Sequence, residues 1–404
     1  MKKKVVDNNL VEAEVKRSFM EFYQYHKEEC DKKYEESISE NNLHIYEEIE
    51  DDDLVNQFLI KTDVVILTAN VFEKNILHLN AVGDQDQKVY HCTINSCNNP
   101  RRPFNINIYF FKIGDFHILH MEARQTGSYS MGGSADLVRY ILNSNYCYPS
   151  AIISYGICFG NDYNVQKIGD TIIVDKLYPY FMSAKVEEKF FFVKDSNIFN
   201  IDPELETRIK HLIGSGVLSK QKRIFYGSMV TGEAVISNDI MKDIFIKAAT
   251  NQPVLGGEME GYGLFKECQG FECLIPCMIV KAICDWGVCK NLDDDEVKRL
   301  NLKDKAQVYA ADQAYKVMAV ILKSNARVFE SSIYEQIKEL ILLPRIKREV
   351  ISLALLRRLF SENVRTPKKY CNIDDLHGII LQILIKDKIL KKVGNGVYSI
   401  QGEK

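Results

Sequence analysis

The 404-residue sequence predicts an α/β protein with a central mixed sheet, carrying a helical head and a basic tail. Two observations predict this. Short continuous apolar runs, of the kind buried in parallel sheets, begin at 63–69 and recur at 106–111, 117–122, 151–156, 171–174, 224–230 and 278–283. Between several of them apolar residues return at helical spacing, as at 135–142 and 240–249. Composition agrees: 46% hydrophobic and 26% charged residues exclude a mostly disordered, collagen-like or coiled-coil chain. No apolar run reaches the roughly 18 residues of a membrane helix, so no membrane partner is expected. Lys2, Lys3 and Lys4 precede no apolar core, which argues against a secretory signal. With eleven scattered cysteines, a reducing cytoplasm is the expected setting.

Three units follow along the chain. Residues 1–58 form an acidic helical segment, with Val11, Val15, Phe19, Phe22 and Tyr23 at helical spacing. Residues 59–330 hold the alternating strands and helices. Residues 331–404 read as helix, helix and hairpin: an apolar helical stretch at 350–360, a second helix from Ile373, and two strands around the Gly-Asn-Gly turn at 394–396. That order resembles a winged helix. Charge is uneven. Residues 1–60 hold 16 acidic and 8 basic side chains, and residues 341–404 hold 6 acidic and 13 basic. The basic tail admits a nucleic-acid partner, but Asp374 and Asp375 at the start of the would-be groove-reading helix oppose phosphate. A protein partner through the terminal units is the preferred expectation.

Ligands of open α/β sheets bind at the carboxyl ends of strands, so the residues that end each run are the candidates. Glu73 follows the first run. Gly156, Ile157 and Cys158 end another, where glycine lets a backbone turn or a ligand approach. Gly227 to Ile236 follow a third. Gly-Glu-Met-Glu-Gly at 257–261 sets two carboxylates around Met259, and as a strand it would put Glu258 and Glu260 on one face. Last comes Val-Lys-Ala-Ile-Cys-Asp-Trp at 280–286, which ends on the only tryptophan.

The order of these pieces resembles the purine nucleoside phosphorylase and methylthioadenosine/S-adenosylhomocysteine nucleosidase superfamily over about residues 62–320. The segments 257–261 and 280–286 carry most of it, and Ile-Gly-Asp-Thr-Ile-Ile-Val at 168–174 fits the strand after that family's glycine loop. The resemblance implies a three-layer phosphorylase-like core that cleaves a purine N-glycosidic bond through an oxocarbenium-like ribose. Asp285 matches the general acid that protonates purine N7, and burial should raise its pKa. Glu260 matches the ligand of the 2′ and 3′ hydroxyls. Met259 packs on the sugar in that family, and Val235 and Ile236 fall where residues meet the base.

Glu73 stands where the nucleosidase branch has a water-activating glutamate and the phosphorylases have a phosphate-binding arginine, which favours hydrolysis; Ser154 and Ile157 fall at the other phosphate positions. Lys281 and Cys284 replace the usual Arg and Ser, and Lys is not Arg in geometry. Arg124 is a candidate for a 5′-phosphate or a surface residue. The resemblance implies no cofactor and a homo-oligomer. Core plus accessory units is similar to bacterial anti-phage effectors that cleave adenine nucleotides, ATP included, which makes ATP or AMP a candidate substrate. A methylthioadenosine/S-adenosylhomocysteine nucleosidase, a purine nucleoside phosphorylase and a non-catalytic nucleoside sensor with a DNA- or protein-binding tail are the alternatives. His91, Cys92 and Cys97, or Cys273 and Cys277, lack paired zinc spacing, so no metal is expected.

Overall fold

The computed structural model describes residues 8–95, 105–123, 127–128, 132–144, 146–180, 184–186, 190–192, 198–218, 223–270, 275–289, 294–324, 328–342, 350–363 and 373–401. The helices are α1 (Asn8–Ile38), α2 (Asp52–Lys61), α3 (Val71–Gln85), α4 (Ser134–Leu142), α5 (Pro203–Gly214), α6 (Asp239–Ala249), α7 (Gly261–Gly270), α8 (Asp295–Arg299), α9 (Leu302–Lys323), α10 (Ile333–Leu342), α11 (Leu353–Asn363) and α12 (Ile373–Lys386). The strands are β1 (Tyr46–Glu48), β2 (Val64–Thr68), β3 (Val89–Asn95), β4 (Asn105–Ile113), β5 (Phe116–Glu122), β6 (Ala151–Gly160), β7 (Thr171–Pro179), β8 (Ala184–Val186), β9 (Phe190–Phe192), β10 (Phe199–Asn200), β11 (Ile224–Thr231), β12 (Gly256–Glu258), β13 (Cys277–Asp285), β14 (Val350–Ser352), β15 (Leu390–Gly394) and β16 (Val397–Ile400).

Every apolar run of the sequence is a strand of one mixed sheet, ordered β1-β3-β4-β5-β2-β6-β12-β11-β7-β10. Its side chains alternate between two cores. In β2, Val65 and Leu67 join one cluster with Leu137 of α4 and Leu264 of α7. Val64 and Ile66 join the other with Ile76 of α3 and Val308 of α9. This is the pattern of a strand covered on both faces. Half of the sheet closes on itself: β13 runs parallel to β6 and antiparallel to β7, which completes a ring β6-β12-β11-β7-β13.

The head is not separate from this core. The buried side chains Val11, Val15, Phe19, Phe22 and Tyr23 of α1 share a cluster with the sheet and with Tyr309 of α9. The acidic stretch after it contains an unexpected strand, β1, which pairs in parallel with β3. The tail differs from expectation as well. Residues 350–352 are a strand rather than the start of a helix; β14 pairs with β16, so α11 begins only at Leu353. The tail meets the core at the amino end of β2. Asp63, buried, accepts the His117 N–H at 2.7 Å and the Ser332 N–H at 2.5 Å. Lys61 pairs with Asp387 at 2.7 Å, and Ile60 joins the tail's apolar cluster.

Asp63→Ala strands two buried N–H donors at this joint. It is expected to lower stability by about 1–3 kcal/mol, read as a shift of the urea midpoint at unchanged slope.

Candidate active site

The site forms where β6 changes partner. Residues 151–154 of β6 pair with β2, whereas Phe159 and Gly160 pair with β12. The apolar run that ends at Gly156 is longer as a strand: β6 continues to Gly160. Gly156 takes φ +143° in mid-strand. A Cβ there would sit 1.9 Å from Glu73 Oε1, so the residue serves close approach as well as backbone freedom. Past it, β2 and β6 separate and leave a crevice at a topological switch point.

Glu73 fills the start of that crevice. Asn70 caps α3 and accepts the Glu73 N–H at 3.0 Å, while Glu73 reaches back as the other half of a capping box. Its Oε2 accepts Ala69 N–H at 2.6 Å and Asn70 N–H at 3.1 Å. Its Oε1 accepts Ile157 N–H at 2.8 Å, which occupies a donor that β2 no longer pairs. Burial raises the Glu73 pKa, only partly offset by the Lys281 charge.

Lys281 stands on β13 opposite Gly156 of β6 and is fully buried. Its ammonium donates to Glu260 Oε2 at 2.7 Å and lies 3.9 Å from Glu258 Oε2. Burial alone would lower the Lys281 pKa, but Glu260, Glu73 and Glu258 together hold it up. The two glutamates of 257–261 do different things. The strand reading put them on one face, but β12 stops at Glu258. Glu258 turns inward and accepts the N–H groups of Glu260 at 2.9 Å and Gly261 at 2.7 Å, which anchors the amino end of α7. Burial raises its pKa, against the Lys281 charge. Glu260 sits on the bend between β12 and α7, clamped by serines: Ser134 Oγ donates to its carbonyl at 2.6 Å and Ser128 Oγ to that of Met259 at 3.0 Å.

Asp285 ends β13 beside Phe159 and is half-buried, so the burial expected of it is only partial. Its Oδ1 accepts Gly287 N–H at 2.7 Å, and Cys284 Sγ lies 3.7 Å from Oδ2. Cys158 of β6 lies opposite Ile283, between the positions that face Lys281 and Asp285. Burial raises the Cys158 pKa and keeps it a neutral thiol. Carboxylates from residues 73, 258 and 260 therefore surround one buried ammonium, and Asp285 ends the strand that carries it. Of the other candidates, Met259 is half-buried, Ile236 is buried against Tyr180 and Phe159, and Val235 is 59% exposed. Arg124 lies outside the described residues. The Ser154 hydroxyl is buried with no hydrogen-bond partner among the described residues.

No protein-family model and no curated protein matches this sequence. Solved structures do. A methylthioadenosine/S-adenosylhomocysteine nucleosidase from Neisseria meningitidis, in complex with methylthio-immucillin-A, is 17% identical. It covers 65% of this chain and 99% of its own, at a TM-score of 0.48. An S-adenosylhomocysteine nucleosidase from Streptococcus pyogenes is 16% identical over 65% and 97%, with a TM-score of 0.47. The futalosine hydrolase of Helicobacter pylori is 14% identical over 65% and 97%, also at 0.47.

Sequence reasoning missed several residues at the site. Lys242 of α6 and Lys303 of α9 both bring their charge within electrostatic reach of Asp285, and burial lowers the pKa of each. Lys242 donates to the Trp286 carbonyl at 3.3 Å. Neither lysine belongs to a motif, and only the packing of α6 and α9 brings them in. Ser128 belongs to no motif either, and Ser134, which follows Arg124 as a candidate beside a 5′-phosphate, instead donates to the Glu260 carbonyl. Among the described residues no group of three or more His, Cys, Asp or Glu side chains is arranged to hold a metal ion.

Lys281→Met leaves buried carboxylates uncompensated and is expected to cost about 3–5 kcal/mol, whereas Glu73→Gln, which removes a buried charge but turns one acceptor of a backbone N–H into a donor, is expected to cost less. Calorimetry on both variants reads the contrast.

Proposed function

We propose that the chain is an N-glycosidic bond hydrolase that releases adenine from an adenine nucleoside or nucleotide. The observation that carries the proposal is that Glu73, after β2, and Glu260, after β12, meet at the buried Lys281 of β13, the strand that Asp285 ends. Each group suits one step. Glu260, fixed by Lys281 and the serine clamp, accepts hydrogen bonds from ribose hydroxyls and orients the sugar. Asp285, half-buried at the end of β13, is the general acid that gives N7 of the departing base its proton. Glu73 orients a water and takes its proton as the bond to C1′ forms, and its charge stabilises the cationic ribose. The proton taken by Glu73 and the one given by Asp285 balance the hydrolysis.

The Glu73 carboxylate also favours water over phosphate as the nucleophile. An anion entering beside Glu73 meets a negative group, and the neighbouring cation, Lys281, is already bonded to Glu260. The basic tail supports a winged-helix-like accessory unit: its order is helix, strand, two helices and a hairpin, with β14-β16-β15 as its sheet. With a head packed on the core as well, this architecture suits a regulated enzyme of adenine nucleotides, ATP or AMP included.

Purified protein given ATP, AMP, adenosine, methylthioadenosine and S-adenosylhomocysteine, with and without phosphate, should release adenine from at least one without phosphate, as followed by chromatography. Asp285→Asn and Glu73→Gln should each cut the rate on the order of 10²–10⁴-fold while ligand still binds. Unchanged rates in both variants reject the assignment. Because Glu73 must be ionised to act and burial raises its pKa, activity should fall as pH drops through a value above the ordinary glutamate 4.5. Stability should run the other way. The folded chain keeps the Glu73 proton to higher pH than the unfolded chain, so this group's contribution declines as pH rises through that window. Glu73→Gln should remove the decline.

A further inference from the structure

The proposed chemistry uses neither α1 nor the loop that precedes β7, yet these two enclose a cavity of about 280 Å³. Its floor is aromatic. Phe22 and His26 of α1 lie against Tyr309 of α9, with ring centroids 5.1 and 4.8 Å away. α1 leaves helical geometry at His26, with φ −123° and ψ 17°, so the helix breaks at the cavity wall. The polar lining is balanced: Glu14, Glu21 and Asp170 against Arg17, Lys167 and Arg223. Arg17 pairs with Glu14 and lies 3.7 Å from Glu21; Arg223 lies 3.6 Å from Asp170.

Each property narrows the occupant. Aromatic walls hold a flat ring by stacking or edge contacts. Equal numbers of carboxylates and cations give neither an anion nor a cation a net attraction, yet they offer acceptors and donors side by side. The volume falls just under the roughly 300–1,000 Å³ of ligand pockets, room for one small ring system. The wall is also continuous with the strand that carries Asp285. The Gly169 N–H donates to the Ile283 carbonyl at 2.8 Å, and the Ile283 N–H to that of Asp170 at 2.9 Å. Trp286 Nε1 donates to Ser18 Oγ of α1 at 3.0 Å, and Tyr163 meets the indole edge-on.

We propose that this cavity is a second small-molecule site, apart from the carboxylate crevice, that takes an uncharged planar heterocycle of nucleobase size. Adenine is the probe, since its edge carries donors and acceptors and hydrolysis does not consume it. Equilibrium dialysis of labelled adenine compares the full chain with Glu21→Trp, which fills the cavity from a half-exposed helix position, with Tyr25→Ala, which trims a ring lining the cavity that is 79% exposed and so spares the fold, and with Asp285→Ala. The expected result is a binding component that survives Asp285→Ala, weakens in Tyr25→Ala and falls at least tenfold in Glu21→Trp. If that is the only component, the crevice reading fails and the cavity stands. Binding that disappears with Asp285→Ala and is untouched by both cavity variants overturns the proposal, as does the absence of adenine binding in all four proteins.

Discussion

The structure of the site depends on one ammonium. Lys281 is the cation at the junction of three buried carboxylates, and a buried charge left alone costs several kcal/mol. Its bond to Glu260 fixes the side chain that would meet a sugar, and its field reaches Glu258 and Glu73. One positive charge does not neutralise three negative ones, so burial moves the balance toward protonation at Glu73 and Glu258. An arginine at 281 would spread its donors in a planar fork, whereas a lysine concentrates its charge at one point between Glu260 and Glu258.

The crevice around that charge follows from a single backbone feature. β6 must pair with β2 first and with β12 afterwards, and the bend at Gly156 makes the exchange. The same bend gives Glu73 its place, since no other residue leaves room for the carboxylate. Architecture and electrostatics are here one constraint: the position where the sheet changes partner is also the one that admits the buried Glu73 carboxylate.

Much of this was legible in the sequence. Every apolar run became a strand, and the motif order pointed to the residues that meet around Lys281. What failed did so for physical reasons. Glu258 and Glu260 read as a strand pair because alternation is visible in sequence, while the two N–H groups that turn Glu258 into a helix anchor are not. At Gly156 the sequence leaves a turn and a close approach equally open, because glycine serves both, and only the position of Glu73 decides it. Strands β1 and β14 were missed because three residues carry too little periodicity. Lys242 and Lys303 were invisible because their proximity to Asp285 exists only after α6 and α9 have packed.

The ring of strands also sets when the site can exist during synthesis. Its closing member, β13, pairs with β6, more than a hundred residues earlier, and it brings Lys281 and Asp285 with it. Such distant pairing is slow, because the intervening chain must be ordered before the contacts repay it. A nascent chain that lacks residues 277–285 holds Glu73 without its counter-charge and without Asp285. α9, which packs against both β13 and β6, follows still later. The arrangement around Lys281 is thus among the last that the core acquires.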